Sequence, residues 1–454
     1  MRMKKILLIF PVLLLALQIL GAETGEIVSN TKPKSSGLIP DEPRELILFN
    51  NNGFIFGSYM RVGLHRNADA NMMEGFGWWN VENGYNGQRF MNEGNYSEWL
   101  LAYESPRDDP AWWGGAYLRI AFDIPEFSAG WANISGEDYG VILPEAFFRL
   151  GYNDKGWNFW LGRRYNDKVS LNMMDYYIAN LDGNGFGIEN VSIGTATMDF
   201  NWLFSYDNGD PIGSTSDELA NLFTYPGKNT WAFVFRGVKA GPGSFTFFVA
   251  PSLQSGGDVV DEVDDDGTVD TTTHYSSGYG SFFTAKYYLP SFFGLKGETE
   301  IYASGGFGTG ANQLADTDLY NYDTSDYSFF TGFQGFALVS DTISWRATLH
   351  YEHRSWETDR NFLSFGFRPL FRVAPIFGIQ LEYDLEAAMD TGKMGNRITL
   401  APTFLPKYGD TTSSLQIMPY ITYGYGDFQG GDGIAVSDGS LHKITWGVFG
   451  NVGF

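Results

Sequence analysis

The chain has 454 residues, with 53 acidic against 30 basic side chains, a net charge of −23 at pH 7 and no cysteine. Such a charge argues against nucleic acid as a partner, and the missing cysteines exclude a disulfide framework, a thiolate metal site and a cysteine nucleophile. Aromatic residues reach 17% and glycines number 56, yet mean hydropathy is only −0.19. Alternating strands with one face in lipid and the other in water give that combination, whereas a soluble β-sandwich explains the strands but not the aromatic load.

At the N-terminus, Arg2, Lys4 and Lys5 precede an apolar run from Ile6 to Leu20 that ends at Gly21-Ala22. A positive start, an apolar middle and a small residue for cleavage make residues 1–22 an expected export signal. Leu20 is bulkier than the small residue preferred at its place, and the alternative, a single membrane anchor, would need a longer run. Residues 23–50, with Asn30-Thr31-Lys32-Pro33-Lys34-Ser35-Ser36, lack both periodicities and read as a flexible periplasmic lead-in. No other apolar segment is long enough for a transmembrane helix.

From residue 51 to 454 the pattern predicts one barrel domain. Eighteen strand candidates follow in chain order, at roughly 54–63, 95–105, 114–123, 143–152, 156–164, 187–195, 197–206, 229–238, 243–251, 279–288, 296–306, 325–338, 341–352, 360–372, 376–387, 395–405, 415–425 and 442–454. Within 341–352, Ile343, Trp345, Ala347, Leu349 and Tyr351 share one face, and Ser344, Arg346, Thr348, His350 and Glu352 share the other. Within 376–387, Ile379, Leu381, Tyr383 and Leu385 oppose Gln380, Glu382, Asp384 and Glu386. A dry sandwich interior would not take those charges, but a wet lumen does. The final candidate alternates through Trp446 and Val448 to a terminal Phe454, as a closing barrel strand does. Connections alternate between long and short, which places long loops outside the cell and tight turns in the periplasm. The expected fold is all-β: a transmembrane antiparallel β-barrel of about 18 strands in the outer membrane, exported through the periplasm.

Sequence signals for chemistry are weak. Glu262-Val263-Asp264-Asp265-Asp266-Gly267 partly imitates a calcium loop but lacks the closing Glu and the flanking helices, so it reads as a solvated acidic loop. Gly305-Gly306-Phe307-Gly308-Thr309-Gly310 looks like a phosphate cradle, but no helix follows, so a flexible loop is expected. With five histidines and no nucleophile, base and orienter set, no catalytic residues, metal or cofactor are expected.

The most informative stretch is WLGRRYNDKVSLNMMDYYIANLDGNGFGIENVSIG, residues 160–194. Its Trp160-x-Gly162-Arg163-Arg164-Tyr165 opening, Met173-x-Asp175-Tyr176-Tyr177 centre and Gly183-x-Gly185-x-Gly187-Ile188-Glu189-Asn190 return resemble, without a gap, the third-loop region of the maltoporins, sugar-specific outer-membrane porins. Weaker similarity runs from Phe56 to the C-terminus, including Phe365-Gly366-Phe367-Arg368-Pro369 and Asn396-Arg397-Ile398-Thr399-Leu400-Ala401. The resemblance implies an 18-stranded barrel assembled as a homotrimer, with the third loop folded into the pore and Asp175 and Tyr177 lining its constriction. It also implies an aromatic slide and ionic track for oligosaccharides. In the first strand Tyr59, Arg61 and Gly63 fit the family's Tyr-x-Arg-x-Gly, and in the second Tyr96 and Glu98 fit Tyr-x-Glu. Arg89-x-x-Asn92-Glu93 resembles the segment before the second strand, which places Arg89 at the constriction. Phe362 falls where the family has a slide tryptophan, with Arg368 on the same face, while Phe282 and Phe283 compete for another slide position.

Each of these has a plainer reading: Tyr59 and Tyr96 as interface-girdle aromatics, Arg61 and Glu98 as a solvated pair. The chain also departs from the family pattern. Ser170 stands for a second third-loop aspartate, Pro144 for a constriction arginine and Gly453 for a slide tryptophan, and Trp131 is only a loose candidate for the residue that reaches in from a neighbouring subunit. The expected function is facilitated diffusion of carbohydrates, most of all maltodextrin-like oligosaccharides, through a barrel in contact with outer-membrane lipid and not an enzyme. A general or other-substrate diffusion porin, or a surface adhesin or receptor on a barrel platform, are the alternatives.

Overall fold

The computed structural model describes residues 46–51, 53–67, 81, 96–105, 112–123, 141–153, 156–167, 169–171, 173–174, 176–206, 227–263, 269–311, 325–355, 359–404, 416–427 and 441–452. Among them the chain is all strand and turn. The barrel begins with β1 (Leu46–Asn51), β2 (Phe54–Asn67), β3 (Tyr96–Glu104), β4 (Trp112–Asp123), β5 (Val141–Tyr152) and β6 (Asn158–Arg164). Two short strands follow, β7 (Val169–Ser170) and β8 (Tyr177–Ala179). Next come β9 (Gly183–Ile193), β10 (Ala196–Tyr206), β11 (Gly227–Ala240) and β12 (Gly243–Ser255), then a side hairpin of β13 (Gly257–Val263) and β14 (Val269–Tyr275). The wall continues through β15 (Gly278–Leu289), β16 (Lys296–Gly308), β17 (Tyr327–Ser340), β18 (Ile343–Arg354) and β19 (Arg360–Ala374). It is completed by β20 (Phe377–Ala388), β21 (Lys393–Phe404), β22 (Gln416–Gly426) and β23 (Leu441–Val452).

Every barrel strand pairs antiparallel with its neighbours in chain order, and β23 returns to pair with β2, from Met60 opposite Val452 to Asn67 opposite Thr445. Leaving out β1, the loop strands and the hairpin, eighteen strands form the cylinder. Closure matters because an unpaired backbone N–H or C=O in hydrocarbon costs several kcal/mol, so an open edge is not tolerated. All eighteen predicted strands are present, most of them a few residues longer than the pattern suggested.

The alternation sorts as the sequence implies. On β20, Gln380, Glu382, Asp384 and Glu386 are buried inside, whereas Leu381 faces outward and is 40% exposed. On β23, Ile444, Trp446 and Val448 lie on the outer face, and Thr445 and Phe449 are buried within. Phe283 is outward and half exposed, while its neighbour Phe282 is fully buried inside, which removes the ambiguity between them.

Three findings differ from expectation. Leu46–Asn51, which straddles the expected boundary between lead-in and barrel at residue 50, forms β1, which pairs with Phe54–Ser58 of β2 and takes over that edge where β23 stops. The glycine run expected as a loop is a strand as far as Gly308, because both of its neighbours pair with it: Gly305 and Gly306 lie opposite Phe283 and Phe282 on one side and Phe329 and Ser328 on the other. The calcium-like stretch begins inside β13, and its Asp264–Gly267 portion lies outside the described residues.

Strand β9 shows how a sequence motif becomes architecture. A Cβ at Gly185 would lie 2.1 Å from the Trp202 carbonyl oxygen, and one at Gly187 would lie 2.3 Å from Asn201 Oδ1 and 2.5 Å from Trp160 Nε1. The bare inner face lets the Trp160 indole lie across the strand and donate to Asn201 at 2.9 Å. Replacing Gly187 with Val should displace Trp160 and destabilise the barrel by about 1–3 kcal/mol, the usual cost of overpacking. A lower temperature for loss of the compact band in heat-modifiability gels would register it, and an unchanged transition would refute it.

Candidate functional site

The chain between β6 and β9 does not leave the barrel but turns into it. Asp167 starts the turn in a left-handed conformation, φ +48°, which Asp tolerates better than most residues. Its carboxylate is held by the Arg236 guanidinium of β11, which also donates to Asp199 at 2.9 Å. The loop's root is closed by the Asn166 N–H donating to Asp182 at 2.8 Å and the Leu181 N–H donating to the Asn166 carbonyl at 3.1 Å. Inside the loop, β7 and β8 make a small hairpin in which Ser170 lies opposite Tyr177.

Apolar packing drives the insertion. Leu171, Met173, Ile178 and Ala179 have no exposed surface. Leu171, Ile178 and Ala179, with Val169, Met174, Tyr176 and Leu181, join one cluster with inward side chains of the wall, among them Leu203, Val234, Phe248, Phe282, Tyr302 and Phe330. Each fully buried aliphatic or aromatic side chain contributes about 1.5–3 kcal/mol, so the loop is bound to the wall as firmly as a small core. Polar contacts fix its far end: Gln334 of β17 donates to the Ser170 carbonyl at 3.1 Å, and the Tyr176 ring lies 4.7 Å from His350 of β18. The loop therefore spans the lumen from β6 to β18 and narrows it.

Beside the loop's root, the first two barrel strands bring four of the expected site residues together. Register sets Tyr59 opposite Glu98 and Arg61 opposite Tyr96, all facing inward. The Tyr59 and Tyr96 rings are 6.2 Å apart, and the Arg61 guanidinium lies 5.0 Å from the centre of the Tyr96 ring. Tyr59 accepts from Arg61 at 3.2 Å. Glu98 is engaged on both oxygens, accepting from Tyr96 at 2.6 Å, from Tyr165 at 2.9 Å and from Arg119 at 3.0 Å. Arg119 also donates to Glu145 at 2.6 Å, so one network joins β3, β4, β5 and the loop. Tyr59 and Glu98 are buried, while Tyr96 and Arg61 remain partly open to the lumen.

The remaining expected residues lie elsewhere. Tyr177 is in β8, partly exposed. Phe362 is buried on the inner face of β19, in a separate cluster with Tyr420, Phe449 and Val81, the last from the connection after β2. Arg89 and Asp175 fall outside the described residues, as do Trp131 and Gly453. Pro144 is in β5, where a register irregularity interrupts the ladder with β4. The anchors of the loop, namely Tyr165, the Asp167–Arg236 pair, Gln334 and the packing of Met173, went unnoticed in the sequence. A signal was nonetheless present: Phe248 and Phe282 are apolar on the lumen side, where water alone would favour polar residues.

A closed eighteen-stranded barrel with a loop folded into its lumen is the architecture of an outer-membrane channel. The chain matches the family described as LamB porin over residues 54–448, and it belongs to that family. Among solved structures it is similar to an anion-selective porin from Comamonas acidovorans, at 12% identity over 87% of this chain and 98% of that one, with a TM-score of 0.38. It is also similar to OccD3 of Pseudomonas aeruginosa, at 10% identity over 92% and 95% with a TM-score of 0.43. A third is the outer-membrane expressed OmpT of Vibrio cholerae, at 11% identity over 90% and 100% with a TM-score of 0.37.

Removing the clamp on Asp167 tests the site's rigidity. Arg236→Ala should free the loop's root, giving larger open-channel current fluctuations in planar bilayers than the parent protein. Identical noise spectra would show that the apolar contacts hold the loop unaided.

Proposed function

We propose that the channel carries carbohydrates down their gradient by facilitated diffusion, with maltodextrin-like oligosaccharides as the preferred class. The observation that carries this reading is the cluster of Tyr59, Tyr96, Arg61 and Glu98 beside the constriction loop. A sugar ring offers flat C–H faces and a rim of hydroxyls. An aromatic face answers the first and charged groups the second. Tyr96 and Arg61, being open to the lumen, make the contact, and Tyr59 and Glu98 position them from behind. Each contact is weak, so exchange stays fast and no energy source is needed.

Phe362 serves a later stacking position, Arg89, Asp175 and Tyr177 line the constriction, residues 1–22 direct export, and three copies assemble in the outer membrane. Those assignments rest on the resemblance and on the sequence.

Block of ion current by maltooligosaccharides in a planar bilayer is the test. Maltotriose should reduce conductance in a saturable manner. If small ions pass freely and no maltooligosaccharide changes the current, the carbohydrate assignment fails. Tyr96→Ala should raise the half-saturating concentration about fivefold, for a stacking contact of about 1 kcal/mol. Tyr59→Ala should act in the same direction through loss of support for Tyr96. Unaltered half-saturation in both variants would reject the slide.

A further inference from the structure

The far end of the constriction loop rests on a histidine. His350 of β18 lies on the inner face and is 4% exposed. Three rings enclose its imidazole: Tyr176 of the loop, with centroids 4.7 Å apart, and Tyr302 of β16 and Phe330 of β17, each at 6.1 Å. Both ring nitrogens are engaged. Nδ1 lies 2.8 Å from the Tyr302 hydroxyl, and Nε2 lies 3.5 Å from Glu352 Oε2. The other oxygen of that carboxylate, Oε1, is taken by Arg354 of the same strand and by Arg360 of β19, the latter at 3.1 Å. The Tyr176 side chain also lies against Glu352, and Glu386 of β20 is a further carboxylate near it.

This arrangement accommodates two proton states. In the neutral ring Nδ1 accepts from Tyr302, and the Nε2–H points at Glu352. When Nδ1 takes a proton it donates to the same Tyr302 oxygen, and the Tyr302 O–H turns to the Leu349 carbonyl, 3.4 Å away. Neither the imidazole nor the hydroxyl loses a partner. What changes is the contact offered to the loop. A neutral imidazole gives Tyr176 ring contact alone. An imidazolium at 4.7 Å adds a cation–π attraction and faces Glu352 Oε2 as an ion pair. Arg354 and Arg360 oppose the added charge, but both are directed to Oε1. The loop's other far-end anchor, the Gln334 amide on the Ser170 carbonyl, is the same in either state. Histidine is the side chain that ordinarily changes charge between about pH 5 and 8.

We propose that His350 is a pH-sensitive clasp for the constriction loop: on gaining a proton it grips Tyr176 more tightly and holds the loop more firmly across the lumen. Only a contact that differs between the clasped and the released loop shifts their balance, and the cation–π contact is one, because release carries Tyr176 away from the ring. The sign follows from this. The clasp tightens as pH falls through the histidine range and loosens as pH rises through it. Excursions of the loop become rarer in acid while the wall stays as it is, whatever solute the channel carries.

The test is open-channel current noise of the full-length protein in planar bilayers, recorded at pH 8 and at pH 5 in the same salt. The parent's noise should fall about fivefold in acid, the factor that a cation–π contact of about 1 kcal/mol gives. His350→Asn should be noisier at both pH values and lose the dependence. Tyr176→Leu keeps the histidine and removes the ring it faces, so it should lose the dependence too, and it stands in if His350→Asn fails to fold. His353→Asn is the control: that histidine is on the outward face of the same strand, bonded to Tyr327 and Asn361, and its loss should leave the parent's dependence intact. Noise that is unchanged or rises in acid in the parent overturns the proposal. A dependence that survives either His350→Asn or Tyr176→Leu overturns it as well, since other groups of the lumen would then carry it, and so does one that disappears in His353→Asn.

Discussion

The need to satisfy every backbone N–H and C=O in lipid governs the whole molecule. It forces an antiparallel ladder to close on itself, and closure forces a lumen. Once a lumen exists, side chains split by parity. Leu381 meets hydrocarbon while Glu382 and Asp384 meet the interior, and neither set tolerates exchange. Loops then become the means of specialisation, because the wall is already committed to spanning the membrane.

The constriction loop shows how such specialisation is stabilised. It does not rest on a few hydrogen bonds but on a second apolar core laid inside the cylinder, with Leu171, Ile178 and Leu181 facing Leu203, Phe248 and Phe330. Ionic groups surround that core and set its position. Arg119 between Glu98 and Glu145, and Glu189 between Arg149 and Arg164, are buried arrays in which each charge has an opposite neighbour. Buried pairs of this kind add little net stability over apolar packing, but breaking one leaves an unmatched charge, typically 3–5 kcal/mol. They therefore act as alignment pins. Tyr96 and Tyr59 are tied to the first of these arrays through Glu98.

Much of this was legible in the sequence. Period-two alternation gave all eighteen strands because lipid and water demand opposite chemistry at successive positions, as at Ile343 and Ser344. Tyr59, Arg61, Tyr96 and Glu98 could be grouped because adjacent strands in register bring matched positions together. What escaped was anything that depends on a loop's path. Gln334 binds a carbonyl 164 positions away in the chain, and Met173 meets Gly366 across the lumen. No local pattern encodes such meetings. Leu46–Asn51 escaped for another reason: a single short strand following a Pro- and Lys-rich stretch has too little periodicity to stand out.

The shared edge of β2 has a consequence for how the molecule is made. Strand β23 pairs with its C-terminal half and β1 with its N-terminal half, so the β2–β23 part of the seam joins segments separated by almost the entire sequence. Contacts of that separation are the last to form and the slowest to nucleate. The β2–β23 part of the seam can therefore shut only once the last strand of the chain has been made. Until then the two unpaired strand edges are templates on which other chains could add, and they need shelter.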